Sequence, residues 1–169
     1  GSRDPVRFVL EQIMLPIVRH WVACFLNFGY LMEPHGQNVL FELAGNGEMR
    51  RIVHRDLSVG IDMRRRRHIG LSDAGLNRYN RMEDDNFHSI AYDKFMGGHF
   101  FDRLVEACQE RYPDIEAELF RQPCRDEFAR LFPDYNRYFP TTIRYFSETR
   151  DQFDKPSYKD TGQRPLWRP

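Results

Sequence analysis

The sequence predicts an α+β fold with a long or kinked N-terminal helix, one antiparallel β-hairpin and a mostly helical C-terminal half. Three observations predict it: apolar residues at helical spacing near the N-terminus, an Asn46-Gly47 turn between two short β-rich runs, and helical spacing that returns after Phe87. The 169 residues are 41% apolar and 14% aromatic, which is enough to fill one core and argues against disorder.

The first predicted helix begins at Asp4, a capping residue followed by Pro5 at the first helical position. Gly29 is expected to end it, and Pro16 to kink or split it. Because Pro16 and the polar residues Arg19, His20 and Asn27 interrupt the stretch, we expect it to fall short of a membrane span. Six apolar residues trace one helical face: Leu10, Met14, Ile17, Trp21, Phe25 and Phe28.

The next two runs, Val39–Leu43 and Arg51–Leu57, are predicted to be the strands of the hairpin. The turn at Asn46-Gly47 lies almost equally far from Asn38 and Asp56, so an antiparallel ladder is expected to bring them side by side at the open end. The polar loop before the first strand reaches the same end, which makes this end the strongest geometric indication of a site.

In the rest of the chain, the residues that interrupt helical spacing predict where the elements end. Residues Met63–Asp85 are expected to form a long loop or short helical turns. Helices follow from Phe87, with breaks at Pro113 and Pro123, and Ile143–Phe146 is expected to form one more helical turn. The last twenty residues are expected to be an extended tail, and the aromatic residues of this half to be core rather than a platform for stacking bases.

Charge and cysteine content indicate the compartment and the partners. Twenty-five basic residues balance twenty-five acidic ones, so no overall field favours nucleic acid or an anionic membrane, and neither is predicted as a partner. Cys24, Cys108 and Cys124 are odd in number and far apart, which predicts no disulfide framework and a reducing cytoplasm. Gly1-Ser2 resembles a tag-cleavage remnant, so residues 3–169 are interpreted as one domain excised from a longer chain.

Several local patterns have a structural interpretation that competes with a functional one. The run Arg64–Arg67 is typical of a solvated loop but could bind a polyanion, and Glu83–Asp85 could balance it across the loop. These features support a competing class of function, a non-enzymatic module that binds a protein partner or a polyanion. His20 and Cys24 are one helical turn apart, but without two further ligands they do not predict a metal site.

A kinase interpretation of His54-Arg55-Asp56-Leu57 fails. The position five residues after Asp56 is Ile61 rather than the Asn that would hold magnesium, and neither a D-F-G motif nor a glycine-rich phosphate loop is present.

The segment Glu33–Asn38 carries the richest chemistry, with an acid, an imidazole and two amides in six residues. His35 and Gln37 can donate hydrogen bonds to phosphate or carboxylate oxygens, and Asn38 with Asp56 can hold a hard cation through oxygen. The same residue types also form ordinary turns, so the local sequence leaves both interpretations open.

Two segments taken together resemble the signature of the NRPS-independent siderophore synthetases, of the aerobactin-synthetase type. They are Met32–Leu43, which contains His-Gly-Gln-Asn, and Val53–Asp56, which ends in Arg-Asp. The closing Arg164–Pro169 is also similar to the end of that family, whose members are about three times longer. The resemblance therefore covers a C-terminal part.

The resemblance implies an AMP-forming ligase that uses ATP and Mg²⁺ to adenylate a carboxylate such as citrate and to condense it with an amine or hydroxyl. It implies a catalytic site in which His35 contacts the carboxylate or phosphate and Arg55 also takes part. It further implies that Gln37, Asn38 and Asp56 bind the nucleotide, with Asn38 and Asp56 as metal ligands. Ser58 departs from the family, which often has an acid there.

The resemblance also implies a bacterial protein of iron acquisition whose partners include the missing N-terminal region of the same chain. An exposed hairpin edge could support a homodimer. A ferric-siderophore reductase with an iron–sulfur centre is set aside at this point, because three scattered cysteines cannot supply its ligands.

Overall fold

A computed structural model describes residues 4–56, 59–152, 154 and 156–169 and confirms the α+β class. Its α-helices are α1 Pro5–Val9, α2 Leu15–Phe28, α3 Met63–His68, α4 Asn86–Ser89, α5 Asp102–Arg111 and α6 Glu118–Leu131. Its strands are β1 Tyr30–Leu31, β2 Val39–Leu43, β3 Met49–His54, β4 Gly60–Asp62, β5 Arg81–Met82, β6 Arg144–Arg150 and β7 Pro156–Asp160. Predictions about Gly1, Ser2, Leu57 and Ser58 lie outside the described residues.

The N-terminal helix begins and ends where its capping residues predict. The Asp4 carboxylate accepts hydrogen bonds from the backbone N–H groups of Val6 and Arg7, at 3.0 and 3.3 Å. Gly29 ends α2 in the left-handed region, with φ of 72°. A π-helical segment, Leu10–Met14, joins α1 to α2 just before Pro16. Its wider turn accommodates the proline, which lacks a backbone N–H group, without ending the helix.

The combined helix Pro5–Phe28 is long and apolar enough to span a membrane by length and composition alone, which differs from the sequence expectation. In this fold it is the central core helix, since its Trp21 and Phe25 side chains are fully buried. Trp21 lies 5.0 Å from the Tyr92 ring, and Phe25 lies 5.2 Å from the Phe132 ring, both measured between centroids.

The prediction that the aromatic residues of the second half form core is confirmed for Phe128, Phe132, Tyr138 and Phe139, which are all buried. They come from α6 and the chain after it and pack against α2. Tyr145 and Phe146 on β6 are only partly buried.

In the part of the chain that the structure describes, three small sheets accompany the helices. β4 pairs antiparallel with β1 and parallel with β5, while β2–β3 and β6–β7 form separate antiparallel pairs. In the predicted β2–β3 hairpin, Val39 lies opposite His54, and the Arg55 N–H donates to the Asn38 carbonyl at 2.9 Å. Asn38 therefore faces Arg55, and its expected neighbour Asp56 lies one residue further on, where the backbone turns left-handed with φ of 64°.

The arginine run is not a solvated loop. It forms α3, in which Arg65 donates to the Leu26 carbonyl at 2.6 Å and the buried Arg66 donates to the Phe28 carbonyl at 3.1 Å. Their guanidinium groups satisfy carbonyls at the C-terminal end of α2, where a positive charge is also favoured by the helix dipole. This structural role supplies no support for polyanion binding.

The expected balance between the arginine and acidic runs is confirmed, because Arg67 pairs with Glu83 at 2.8 Å. The expectation of short helical turns between Met63 and Asp85 also holds, but β5 within that stretch was missed. A two-residue parallel strand has no periodicity of its own, and its pairing with β4 is visible only in the folded chain.

Two local predictions in the C-terminal half are wrong. α6 continues through Pro123, because Phe120, Cys124 and Phe128 are all buried and tertiary packing outweighs the lost hydrogen bond. The segment Ile143–Phe146 enters strand β6 instead of forming a helical turn, because its residues pair with β7, the next strand along the chain.

The last twenty residues were expected to form an extended tail, but they contain strand β7, and Trp167 and Arg168 near the end are buried. We call Asp93, Gly97, Trp167 and Arg168 the C-terminal anchor. Arg168 Nε lies 3.0 Å from Asp93 Oδ1, and Arg168 Nη2 donates to the Pro140 carbonyl at 2.8 Å. Asp93 and Gly97 belong to the π-helical segment Ile90–Phe101, which joins α4 to α5, and the Trp167 ring packs directly over Gly97.

Candidate functional site

Five residues gather at the open end of the β2–β3 hairpin, and we call them the hairpin-end cluster: Glu33, His35, Asn38, His54 and Asp56. The first three lie on the loop between β1 and β2, and the last two lie at the end of β3. The hairpin register brings the loop and the strand end together, as the sequence predicts.

Asn38 organises the loop from a buried position. Its Nδ2 atom lies 3.1 Å from His35 Nε2 and donates to the Glu33 carbonyl at 3.3 Å. The loop backbone closes further through the His35 N–H, which donates to the same carbonyl at 2.9 Å. The predicted convergence of His35 and Asn38 is therefore observed, and the contact fixes the His35 imidazole beside the strand end.

Within the hairpin-end cluster, His54 has a buried polar atom without a partner in the described part of the chain. Its Nε2 atom is buried and has no hydrogen-bond partner among the described residues. Burial lowers the pKa of His54 to about 4, assisted by His20 and His35 and opposed by Asp56. The imidazole is therefore neutral near pH 7 and keeps one nitrogen available for a ligand.

The pKa of Glu33 is displaced in the opposite direction from that of His54. Burial, followed by the negative charge of Asp56, raises the pKa of Glu33 to about 7. Near neutral pH this carboxyl exchanges between its protonated and ionised forms, so it can donate or accept a hydrogen bond. Displaced pKa values are typical of functional sites, and Glu33 and His54 are displaced in opposite directions.

The remaining predicted site residues are exposed at the rim. Arg55 Nε donates to the Gln37 carbonyl at 2.8 Å, which positions the guanidinium at the hairpin end. Gln37 is exposed, and its nucleotide-binding role stays a prediction. In the backbone ladder Asn38 faces Arg55, and Asp56 lies one residue further on. The metal roles of Asn38 and Asp56 stay predictions.

Sequence reasoning missed one wall of this site. His20 on α2 lies 6.4 Å from the His54 ring, measured between centroids, and 3.6 Å from Cys24 Sγ, measured from His20 Nε2. Burial raises the pKa of the Cys24 thiol, so it stays protonated. The inward orientation of His54 had a signal, because Ile52 and His54 alternate with exposed residues along β3.

The cysteines do not form a cluster. Cys24, Cys108 and Cys124 lie on α2, α5 and α6, and in the part of the chain that the structure describes no group of three His, Cys, Asp or Glu side chains could hold a metal ion. These residues therefore do not fit an iron–sulfur centre, which needs several clustered thiolates.

A cavity of about 710 Å³ adjoins the cluster through Glu33. It lies between β5 with the start of α4 on one side and the β6–β7 hairpin on the other. Glu33 is therefore placed both at the cavity wall and in the hairpin-end cluster.

Comparison with known proteins corrects the functional assignment from sequence. Residues 12–159 match the family model described as ferric iron reductase FhuF-like transporter, and no curated protein or solved structure gives a significant match. The assignments to the siderophore-synthetase family and to an AMP-forming ligase are therefore wrong, and the match gives no support to the competing non-enzymatic module. ATP and Mg²⁺ entered only through that resemblance and stay untested predictions.

The correction also reverses the decision to set aside the ferric-siderophore reductases, which rested on the cysteine count alone. The expected context of iron acquisition and siderophores is confirmed. Since the match extends over most of the sequence, the chain belongs to the FhuF-like ferric iron reductase and transporter family.

Proposed function

We propose that this chain binds a ferric siderophore of the carboxylate class at the hairpin-end cluster. The observation that carries the proposal is the buried Nε2 atom of His54, which has no partner among the described residues. An unpaired buried polar atom costs about 1–3 kcal/mol, so its retention is explained if a ligand completes it.

The surrounding groups match a hydroxycarboxylate chelate such as ferric citrate. His35, His54 and the exposed Arg55 guanidinium can donate hydrogen bonds to carboxylate oxygens. Asp56 can accept a hydrogen bond from a hydroxyl or amide of the chelate, and Glu33 can serve either way because its pKa lies at about 7. Citrate thus remains the proposed carboxylate, now as part of the iron complex.

The chain's own part in iron handling is recognition of the complex rather than delivery of electrons. Its described cysteines lie on three separate helices and do not fit an electron-transfer cluster, so no reduction step is derived through them. The site supplies orientation and hydrogen bonds to the outer oxygens of the chelate, and Fe³⁺ keeps its own oxygen ligands.

The test is isothermal titration of the protein with ferric citrate, with gallium citrate as the redox-inert match. Replacement of His54 with Leu removes the donor and should weaken binding about tenfold, since a hydrogen bond to a charged group is typically worth about 1.5–3 kcal/mol. The matched control is His68→Leu, at the exposed end of α3, which should bind like the parent protein. Equal affinities for the parent and His54→Leu proteins would contradict the proposal.

The other partners and the location predicted from the sequence stay proposals. They are an amine or hydroxyl acceptor, an N-terminal region of the same chain, a homodimer and a cytoplasmic location.

A further inference from the structure

The cavity next to the hairpin-end cluster has a lining that the proposed function, apart from Glu33, does not use. Its volume of about 710 Å³ is in the range of small-molecule sites. The described lining residues include four carboxylates and one cation, and several aromatic rings. The carboxylates are Glu33, Glu83, Asp84 and Asp151, the cation is Arg81, and the rings are those of Tyr79, Phe87, Phe146 and Tyr158.

Arg81, the one cation among the described lining residues, is engaged through its two terminal nitrogens, while its buried Nε atom has no partner there. Arg81 Nη1 lies 3.4 Å from Asp73 Oδ2, and Arg81 Nη2 donates to the carbonyls of Asp73 and Leu76, both at 3.2 Å. Arg67 compensates one of the acids, Glu83. Among the described lining residues the acids still outnumber the cation, with Asp84 near Tyr158 and Glu33 on the side of the hairpin-end cluster.

The aromatic wall is continuous and fixed. The Phe146 ring lies 6.5 Å from the Phe87 ring and 6.0 Å from the Tyr158 ring, measured between centroids. A Cβ atom added to Gly60 would meet the Phe87 ring at 2.6 Å, so the glycine on β4 lets this ring lie against the strand. Asp84 adds to burial in raising the pKa of Tyr158, which indicates that the carboxylate and the phenol are neighbours.

We infer that this cavity binds an alkylamine with at least two protonated amino groups, held between the carboxylates and the aromatic wall formed by Phe87, Phe146 and Tyr158. Aromatic faces attract ammonium groups, and desolvation within a cavity strengthens that attraction. The carboxylates supply opposite charge in the same space. An anionic ligand is disfavoured by this excess of acids, and a purely apolar ligand would leave several carboxylates desolvated. The inference does not depend on ferric citrate binding.

The experiment is a titration with 1,6-diaminohexane, with 1,6-hexanediol as an uncharged ligand of the same length. The diamine should bind and the diol should not, and added salt should weaken diamine binding because the attraction is between charges. Equal binding of the diamine and the diol would overturn the inference.

Two variants test whether the diamine binds in this cavity. Asp84→Asn keeps the oxygen that accepts the Asn86 N–H at 2.9 Å but removes the charge, so it should weaken diamine binding at least about fivefold. Tyr158→Leu keeps apolar bulk but removes a ring, and should weaken it at least about threefold. The control is Asp114→Asn, an exposed acid after α5 that does not line the cavity.

Circular dichroism and thermal unfolding of each variant establish that it is folded. Diamine affinity that is unchanged in both Asp84→Asn and Tyr158→Leu would overturn the inference. Ferric citrate titrated into the same two variants should bind as it does to the parent protein, so failure of this inference is distinguishable from failure of the proposed function.

Discussion

Two polar regions of this molecule, the C-terminal anchor and the hairpin-end cluster, differ in how completely their buried hydrogen-bonding groups are paired. In the C-terminal anchor, the buried Arg168 guanidinium makes hydrogen bonds to both Asp93 oxygens and to the Pro140 carbonyl. In the hairpin-end cluster, the buried His54 Nε2 has no partner among the described residues, and the pKa values of His54 and Glu33 are displaced in opposite directions. The comparison indicates that the anchor stabilises the fold, whereas the cluster keeps hydrogen-bonding capacity for a ligand.

Removal of Arg168 should have the largest effect on stability. Arg168→Ala leaves Asp93 buried without its counter-ion, which should lower the free energy of unfolding by about 3–5 kcal/mol. Urea unfolding followed by far-UV circular dichroism measures the loss. The control is Arg164→Ala, an exposed arginine of the same segment, which should cost less than about 0.5 kcal/mol. Equal losses in the two variants would show that the anchor is no more than a surface contact.

A smaller effect is expected where Trp167 packs on the π-helical segment. A Cβ atom at Gly97 would lie 2.6 Å from Trp167 Cδ1, so Gly97→Ala should destabilise the protein by about 1–3 kcal/mol. The neighbouring Gly98→Ala is the matched control, because its nearest atom is the Asp93 carbonyl oxygen at 3.8 Å. Gly98→Ala should be neutral or stabilising by up to about 1 kcal/mol. Destabilisation by Gly98→Ala alone would contradict this account of the anchor.

These regions also differ in how far the sequence predicts them. Caps and turns depend on adjacent residues, so Asp4, Gly29 and Asn46-Gly47 locate the first helix and the hairpin correctly. The anchor joins Asp93 to a residue 75 positions away, and no local pattern indicates that pairing. Similarly, His35 and Asn38 stand in one polar loop and were predicted together, whereas the wall formed by His20 depends on how α2 packs across the hairpin end.

The cluster itself should contribute a pH dependence of stability. The pKa of Glu33 is about 7 in the folded protein, above its ordinary value of 4.5. Its contribution is therefore present below about pH 4.5 and is lost as the pH rises through 7. Glu33→Gln stays neutral, so it should match the parent at pH 4 and be more stable at pH 8 by about 1 kcal/mol, allowing for solvent screening of a half-buried group.

The control for this pH effect is Glu110→Gln, on the exposed side of α5, which should leave stability unchanged at both pH values. A Glu33→Gln protein that is less stable than the parent at pH 8 would show that the carboxylate is a structural partner and not a strained group of the cluster.

The central claim, that the cluster is kept incompletely paired for a ligand, is tested most directly by His54→Leu, with urea unfolding and ferric citrate titration performed on the same preparation. Because the buried Nε2 has no partner among the described residues, its removal should leave the free energy of unfolding unchanged or slightly raised. Binding of ferric citrate should fall at least about tenfold. Loss of stability together with full ferric citrate affinity would contradict the account and make His54 a structural residue of the hairpin.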